Sequence, residues 1–237
     1  MFLYPEISIR RDQSLSLDKF REMDYYAVEN YDLPIELMME NAGLHLAKLV
    51  SKYTIDKSLP VVILVGSGNN GGGGSVAARR LAAWGYKVHI KLISNNLKGL
   101  PAKQFERAIK FGVINELPEG SPQLIVDAML GFSQKPPLRN NIVEFIEYSN
   151  KIPCVKISLD LPTGLFDENS TQYFEPTAVL SLAAPKEIFF LPQLKRTHLY
   201  VADLGIPKAV YDKFNKDSYL KFNESSIYKI KIDNTTF

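Results

Sequence analysis

The chain has 237 residues, 46% hydrophobic and 23% charged, with a formal net charge of +2. That length buries a full core as one domain without disulfides or metal, and its scattered Lys and Arg exclude the local basic cluster that nucleic acid or an anionic membrane selects. No stretch reaches the roughly 18 apolar residues of a membrane span, and Met1-Phe2-Leu3-Tyr4-Pro5-Glu6 lacks the basic-then-apolar form of a signal peptide, so the expected location is the cytoplasm. Cys154, the single cysteine, follows Pro153 in an apolar stretch and reads as a buried, inert thiol, which fits a reducing compartment.

Residues 17–29 place Phe20, Met23, Tyr26 and Ala27 at helical spacing, and Pro34 opens a second helix over 35–52. Val61-Val62-Ile63-Leu64-Val65 is continuous and β-branched, the pattern of a strand buried on both faces of a parallel sheet. Next comes Gly66-Ser67-Gly68-Asn69-Asn70-Gly71-Gly72-Gly73-Gly74, whose six glycines read as a loop that brings bare backbone against an anionic ligand. A helix over 75–84, stopped by Gly85, is expected after it. A strand over 87–93, a helix over 102–111, a strand over 124–128, a helix over 140–149 and a strand over 155–159 continue the alternation. Short strands are expected at 179–182, 188–191 and 199–201, and the alternating 227–232 segment reads as a solvated edge strand. Strand and helix alternating in this way predict an α/β fold, a mostly parallel sheet with helices on both faces and right-handed crossovers. There is no internal repeat or linker, so one domain spans 1–237.

Ligands of such sheets bind beyond the carboxyl ends of the strands. Three segments fall there: the glycine run, Asp127 with Gly131, and Asp160-Leu161-Pro162-Thr163-Gly164. Gly66-x-Gly68-x-x-Gly71 has no acidic residue ending the following strand to hold a ribose, where Ile93-Ser94-Asn95 stands, and no Lys-Ser or Lys-Thr follows the glycines. An ordinary NAD-dependent dehydrogenase and a P-loop are thereby disfavoured. Asp127 either caps a turn or serves the site. Asp160, ahead of Pro162 and Gly164, is presented by a defined turn. His45, His89 and His198 lie far apart without ligand spacing and read as structural or surface residues.

Asn41-Ala42-Gly43, Gly66-x-Gly68-Asn69-Asn70-Gly71-Gly72, Asp127-Ala128-x-x-Gly131, Asp160-x-Pro162-x-Gly164, Ala184-Pro185-Lys186 and Gly205-Ile206-Pro207 occur in this order. In them the chain resembles the YjeF N-terminal domain family, the NAD(P)HX epimerases, over about residues 14–210, with 211–237 as an extension. The resemblance implies a Rossmann-like three-layer α/β/α sandwich. It also implies a repair enzyme that interconverts the R and S forms of NADHX and NADPHX, hydrated nicotinamide cofactors, for a separate S-specific dehydratase. Carried over position by position, it implies that Asn69, Asn70, Gly71, Gly72 and Gly73 hold the dinucleotide together with Gly131, Phe132, Ser133, Gln134, Lys135, Pro136 and Pro137. It makes Asp160 the acid/base and substrate-binding carboxylate, and Asn70, Asp127 and Thr163 the ligands of a potassium ion, an oxygen-only set that suits a hard cation and not zinc. Members of the family are frequently dimers, so a homodimer is among the implied partners, with no nucleic acid and no membrane.

The chemistry can be read from the substrate. A carbon bearing a hydroxyl and a ring nitrogen inverts by losing the hydroxyl as water, giving an iminium-like ring, and taking water back on the other face. A carboxylate there protonates the leaving hydroxyl, stabilises the cation and deprotonates the returning water, and Asp160 is the expected carrier of all three roles, so Asp160→Asn is expected to lose activity with the fold intact. One residue departs from the family pattern: Gly73 stands where an aspartate is usual. That aspartate either caps the following helix, a task Ser75 could assume, or contacts the ligand. The departure keeps two alternatives open, a non-catalytic nucleotide-binding or scaffold protein of the same fold and a crevice acting on another metabolite.

Overall fold

The computed structural model describes residues 4–94 and 96–233, so Asn95 and the first three residues of the N-terminal reading lie outside it. Within these bounds β1 (Glu6–Ile9), α1 (Leu17–Tyr31), α2 (Ile35–Tyr53), β2 (Val61–Val65), α3 (Asn69–Ala83), β3 (Val88–Leu92), α4 (Gly99–Lys110), β4 (Leu124–Ala128), α5 (Asn140–Lys151), β5 (Val155–Leu159), β6 (Ala178–Leu182), β7 (His198–Ala202), α6 (Lys208–Phe214) and β8 (Ile227–Ile232) follow in order. The strands form one eight-stranded sheet in the order β1-β8-β7-β6-β5-β4-β2-β3. From β3 to β7 every pairing is parallel, and β8 runs antiparallel to β7.

Two faces of this sheet are buried. Leu46, Leu49 and Val50 of α2, Ala77 and Leu81 of α3 and Ala108 of α4 cover Ile63, Val65, Val126, Ile157 and Leu159 on one. Ile142 and Ile146 of α5 cover Val62, Leu64 and Ile125 on the other. The continuous apolar strands read from the sequence have that double cover as their cause. Helices α1 and α6 pack together, with Met38, Ala42, Ala183 and Leu204, into a separate cluster. The chain leaves β2 toward β3 on one side and returns to β4 on the other, so the sheet has its switch point between β2 and β4, where a crevice opens at the carboxyl ends.

Three expectations need correction. The glycine run is not a loop before a helix at 75–84, because α3 begins at Asn69 with Gly68 as its N-cap residue. Its glycines serve close packing: a Cβ on Gly71 would lie 1.9 Å from the Gly66 carbonyl oxygen, one on Gly72 2.5 Å from Met39 Sδ, and one on Gly74 2.5 Å from Ala128 Cβ. Residues 188–191 are not a strand. Between Pro185 and Pro192 the segment Glu187–Phe190 winds into a 3₁₀ turn, with the Phe189 N–H donating to the Lys186 carbonyl at 2.9 Å and both Ile188 and Phe189 buried. Finally, β8 is not an edge. Strand β1, which the sequence reading passed over, pairs with it in parallel and places Glu6 2.9 Å from Lys229. Alternation reports which faces are covered, not whether neighbours flank the strand.

The glycine contacts carry a direct consequence for stability. Gly71→Ala, with rigid backbone in the way, is expected to lower the unfolding free energy by about 1–3 kcal/mol or more, whereas Gly68→Ala, with nothing within 4 Å of the new methyl, stays within about 0.5 kcal/mol. Urea denaturation of the two variants checks this, and equal losses would contradict the packing role.

Candidate active site

Two adjoining cavities lie at the carboxyl edge, beside the switch point. The first, about 300 Å³, is lined by Asn69, Asn70 and Gly73 of α3, by Gly131, Phe132, Ser133 and Gln134 after β4, by Asp160 after β5, and by Phe20, Asp24, Met38 and Met39 from α1 and α2. The second, about 220 Å³, shares Ser67, Ser133 and Gln134 and adds Lys135, Pro137 and Arg139. A volume of a few hundred cubic ångströms with few convergent polar groups is the form of a small-molecule site. Gly71, Gly72 and Pro136, expected against the ligand, line neither cavity. Gly71 and Gly72 are buried in the helix packing described above.

Asp160 is 1% exposed and takes φ 68°, and Ala183, at the end of the neighbouring β6, takes φ 63°. Both are left-handed conformations that cost non-glycine residues energy, of order 1–3 kcal/mol, and that cluster at functional sites. The two reversals turn the chain back at the sheet edge and bring Lys186 onto Asp160. Lys186 Nζ donates to Asp160 Oδ1 at 2.7 Å, to Ser181 Oγ at 2.8 Å and to the Leu182 carbonyl at 3.0 Å. Its ammonium sits 3.8 Å from the centre of the Phe20 ring, a cation–π contact that partly replaces lost water. The Phe132 N–H donates to Asp160 Oδ2 at 3.0 Å. Burial pushes the Lys186 ammonium down, opposed by the charge and hydrogen bond of Asp160 and by the charge of Asp24. All three protons of Lys186 are committed, so its chemistry is to hold Asp160 as an anion in one orientation.

The three residues expected at a cation form one hydrogen-bonded chain. Asp127, fully buried, accepts from the Thr163 hydroxyl (2.7 Å), the Thr163 N–H (2.8 Å), the Ser158 hydroxyl (3.0 Å) and the Met129 N–H (3.1 Å). Burial pushes its carboxyl up to about 6 against the pull of these donors. The Thr163 hydroxyl in turn accepts from the Leu130 N–H at 3.1 Å. Asn70 Nδ2 donates to the carbonyls of Leu130 (2.8 Å) and Leu159 (3.3 Å). An amide NH₂ here fills the place between carbonyl oxygens that a cation would take, and the rotated amide would offer Oδ1 instead. The donors are oxygens with one carboxylate, which fits a monovalent hard cation. Among the described residues no group of three or more His, Cys, Asp or Glu is arranged for a metal ion.

Gly73 is an interior residue of α3 and not a cap, so the capping reading of the usual aspartate is set aside. A Cβ there would lie 3.1 Å from Leu159 Cδ2 and 3.8 Å from Ala42 Cβ, on the wall of the first cavity. Ser75 does not cap either: its hydroxyl donates to the Gly71 carbonyl within the helix. Asn41 and Gly43 are packing residues. The Asn41 amide donates to the Leu204 carbonyl at 3.1 Å, ahead of Gly205, and a Cβ on Gly43 would meet Val76 at 2.4 Å. His45 and His89 are buried, and His89 Nδ1 lies 2.9 Å from the Glu116 carbonyl, so both read as structural. Burial pushes the half-buried Cys154 thiol up, consistent with an inert group.

Sequence reading missed Asp24, Phe20 and the partnership of Lys186 with Asp160. A signal was present for Asp24: it lies four residues after Phe20, one turn along the face that carries the buried side chains of α1, where a charge is out of place.

Fold and site together define a doubly wound α/β protein with a small-molecule crevice at its switch point. A family model for the YjeF-related protein N-terminus matches residues 35–188, and the chain belongs to that family. It is 33% identical over 216 residues to the NAD(P)H-hydrate epimerase of Rhodopirellula baltica, covering 85% of this chain and 88% of the relative. It is likewise 33% identical over 222 residues to the protein of that name from Entamoeba histolytica, covering 90% and 97%. The crystal structure of yeast ynu0 superposes with a TM-score of 0.80 at 26% identity, covering 91% of this chain and 99% of that one.

The ion pair sets what substitution at Asp160 does. Asp160→Asn leaves a buried ammonium without its counter-charge, at a cost of about 3–5 kcal/mol, so the expectation of an intact fold holds only if Lys186 is neutralised as well. The double variant Asp160→Asn/Lys186→Met is expected to recover most of the lost thermal stability. Melting curves decide it: a single variant as stable as the wild type would show that the pair is not what holds Asp160.

Proposed function

We propose that this chain is an NAD(P)H-hydrate epimerase, interconverting the R and S forms of NADHX and NADPHX. The observation that carries the reading is the pinned Asp160 carboxylate on the wall of a cavity at the switch point, in a chain of the family whose curated relatives bear that name. The ring of the hydrated cofactor fits the first cavity, and the phosphates fall toward Lys135 and Arg139 of the second and toward the first turn of α3, whose free N–H groups favour anions. Inversion runs through loss of the hydroxyl as water. Asp160, fixed by Lys186 and the Phe132 N–H, stabilises the cationic ring and accepts a proton from the returning water. Of the three roles read from the sequence, the two that need an anion suit this geometry.

Potassium belongs to the same proposal, held by Asn70, Asp127, Thr163 and the carbonyls that Asn70 now bonds. It would supply a fixed positive charge that anchors the turns carrying Leu130 and Leu159, beside the cavity, while the protein residues carry every proton. A separate dehydratase acts on the S form produced, and the cytoplasm is the proposed location. No helix among the described residues is long and apolar enough to cross a membrane. The relatives' shared name does not favour the non-catalytic alternative.

The test mixes R-NADHX with an S-specific dehydratase and follows NADH recovery with and without this protein, in potassium and in choline salts. Catalytic amounts are expected to accelerate recovery, and more strongly in potassium. No acceleration at stoichiometric protein would overturn the enzyme reading, and equal rates in both salts would remove the ion from it.

A further inference from the structure

The reaction needs a proton donor as well as an anion, and the pinned pair does not offer one. Every Nζ–H of Lys186 is committed, and both oxygens of Asp160 accept, one of them from an ammonium. A hydroxyl on a carbon next to nitrogen leaves as water only after gaining a proton, so that proton comes from another wall of the cavity. We propose that Asp24, on α1, is the general acid of the reaction, delivering its proton to the departing hydroxyl while Asp160 faces the ring as the fixed carboxylate. The inference rests on the epimerase reading and assigns within it a residue that no motif of the sequence singled out.

Three features carry it. Asp24 lines the same cavity as Asp160, from a different element, so the two carboxyl groups border one space. Among the described residues no donor hydrogen-bonds the Asp24 carboxyl, unlike Asp127 with its four donors, and a carboxyl left without donors is one whose neutral form is not penalised. Its surroundings push the same way: burial first, then the charge of Asp160, hold the Asp24 carboxyl up to about 6, against an opposing contribution from Lys186. On its own helix, Arg21 is turned to Asp18 at 2.8 Å and toward the Phe132 ring, and Tyr25 lines the cavity. Two carboxyl groups in one site, one paired with an ammonium and the other pushed toward its neutral form by its environment, is the arrangement that separates base from acid.

The Asp24 O–H passes its proton to the hydroxyl oxygen. The C–O bond breaks with its electron pair going to the departing water, and the ring nitrogen lone pair closes the C=N bond. Water then adds to the opposite face, the C=N pair returns to nitrogen, and the surplus proton passes to Asp160. Exchange of one proton with solvent restores Asp24–H and the Asp160 anion.

Asp24→Asn is the test, since the amide is isosteric and breaks no recorded hydrogen bond. Epimerisation is measured in both directions for wild type and variant from pH 5 to 9, together with the affinity for NADH. The wild-type kcat for R to S is expected to fall as pH rises through about 6, because the acid form is lost there. In the variant, kcat is expected to drop about 10²–10⁴-fold, with the pH limb gone and NADH affinity kept within about threefold. Asp24→Glu is expected to recover part of the rate. A variant within threefold of wild-type kcat, or a loss with the pH limb retained, would overturn the assignment. A wild-type protein with no activity would instead overturn the epimerase reading on which it rests.

Discussion

The buried ion pair of Lys186 and Asp160 is the interaction on which the site depends. Neither partner is free to relax into water: Lys186 is 0% exposed and Asp160 1%. Replacing such pairs by apolar residues is often neutral or stabilising, so stability alone does not account for the cost of assembling this one. The cost is visible in two strained backbone positions, Asp160 and Ala183, at the ends of adjacent strands. What the pair provides is orientation, a carboxylate that cannot rotate away, with one oxygen on an ammonium and the other on the Phe132 N–H. Phe20 closes the arrangement, touching the ammonium with its face and packing edge-to-face on Phe132.

Around that pair the fold supplies proximity. The strand order places the ends of β2, β4, β5 and β6 side by side, so residues some 120 positions apart in the chain, from Gly66 to Lys186, meet within a few strand widths. The glycines of α3 let its first turns lie against the β2 and β4 ends, with no side chain between helix and sheet edge. Asp127 then ties the end of β4 to the turn after β5 through Thr163, and Asn70 ties α3 to both. Small displacements in any of these segments would reach Asp160, since each is bonded to a chain segment that carries it or abuts it.

Much of this was legible in the sequence. The strands expected at 61–65, 124–128 and 155–159 have those bounds, most plainly 61–65, whose continuous β-branched run matches a strand buried on both faces. The glycine run matters for a different reason than bare backbone at a ligand: Gly71, Gly72 and Gly74 answer to helix packing, while Gly68 and Gly73 lie on the wall of the first cavity and Gly66 on that of the second. The segment at 188–191 and the flanks of β8 depended on tertiary neighbours, Pro185 and Pro192 for the one and β1 for the other, which a local pattern does not contain. Asp160 was found because a turn and the family motif both mark it. Lys186 was visible only as part of a motif, since pairing across 26 residues is a property of where two strands end. Asp24 carried no motif at all, and only its place on a buried helix face sets it apart.

In the proposed reaction a fixed carboxylate faces a ring that becomes cationic when it loses its hydroxyl as water. Inversion by that route cannot return the departing oxygen to the opposite face, so the new hydroxyl comes from solvent. Following the oxygen of NADHX by mass spectrometry while wild-type protein epimerises it in ¹⁸O-enriched water tests this most directly. One solvent oxygen is expected to be incorporated per inversion; inversion with the original oxygen retained would rule out loss and return of water.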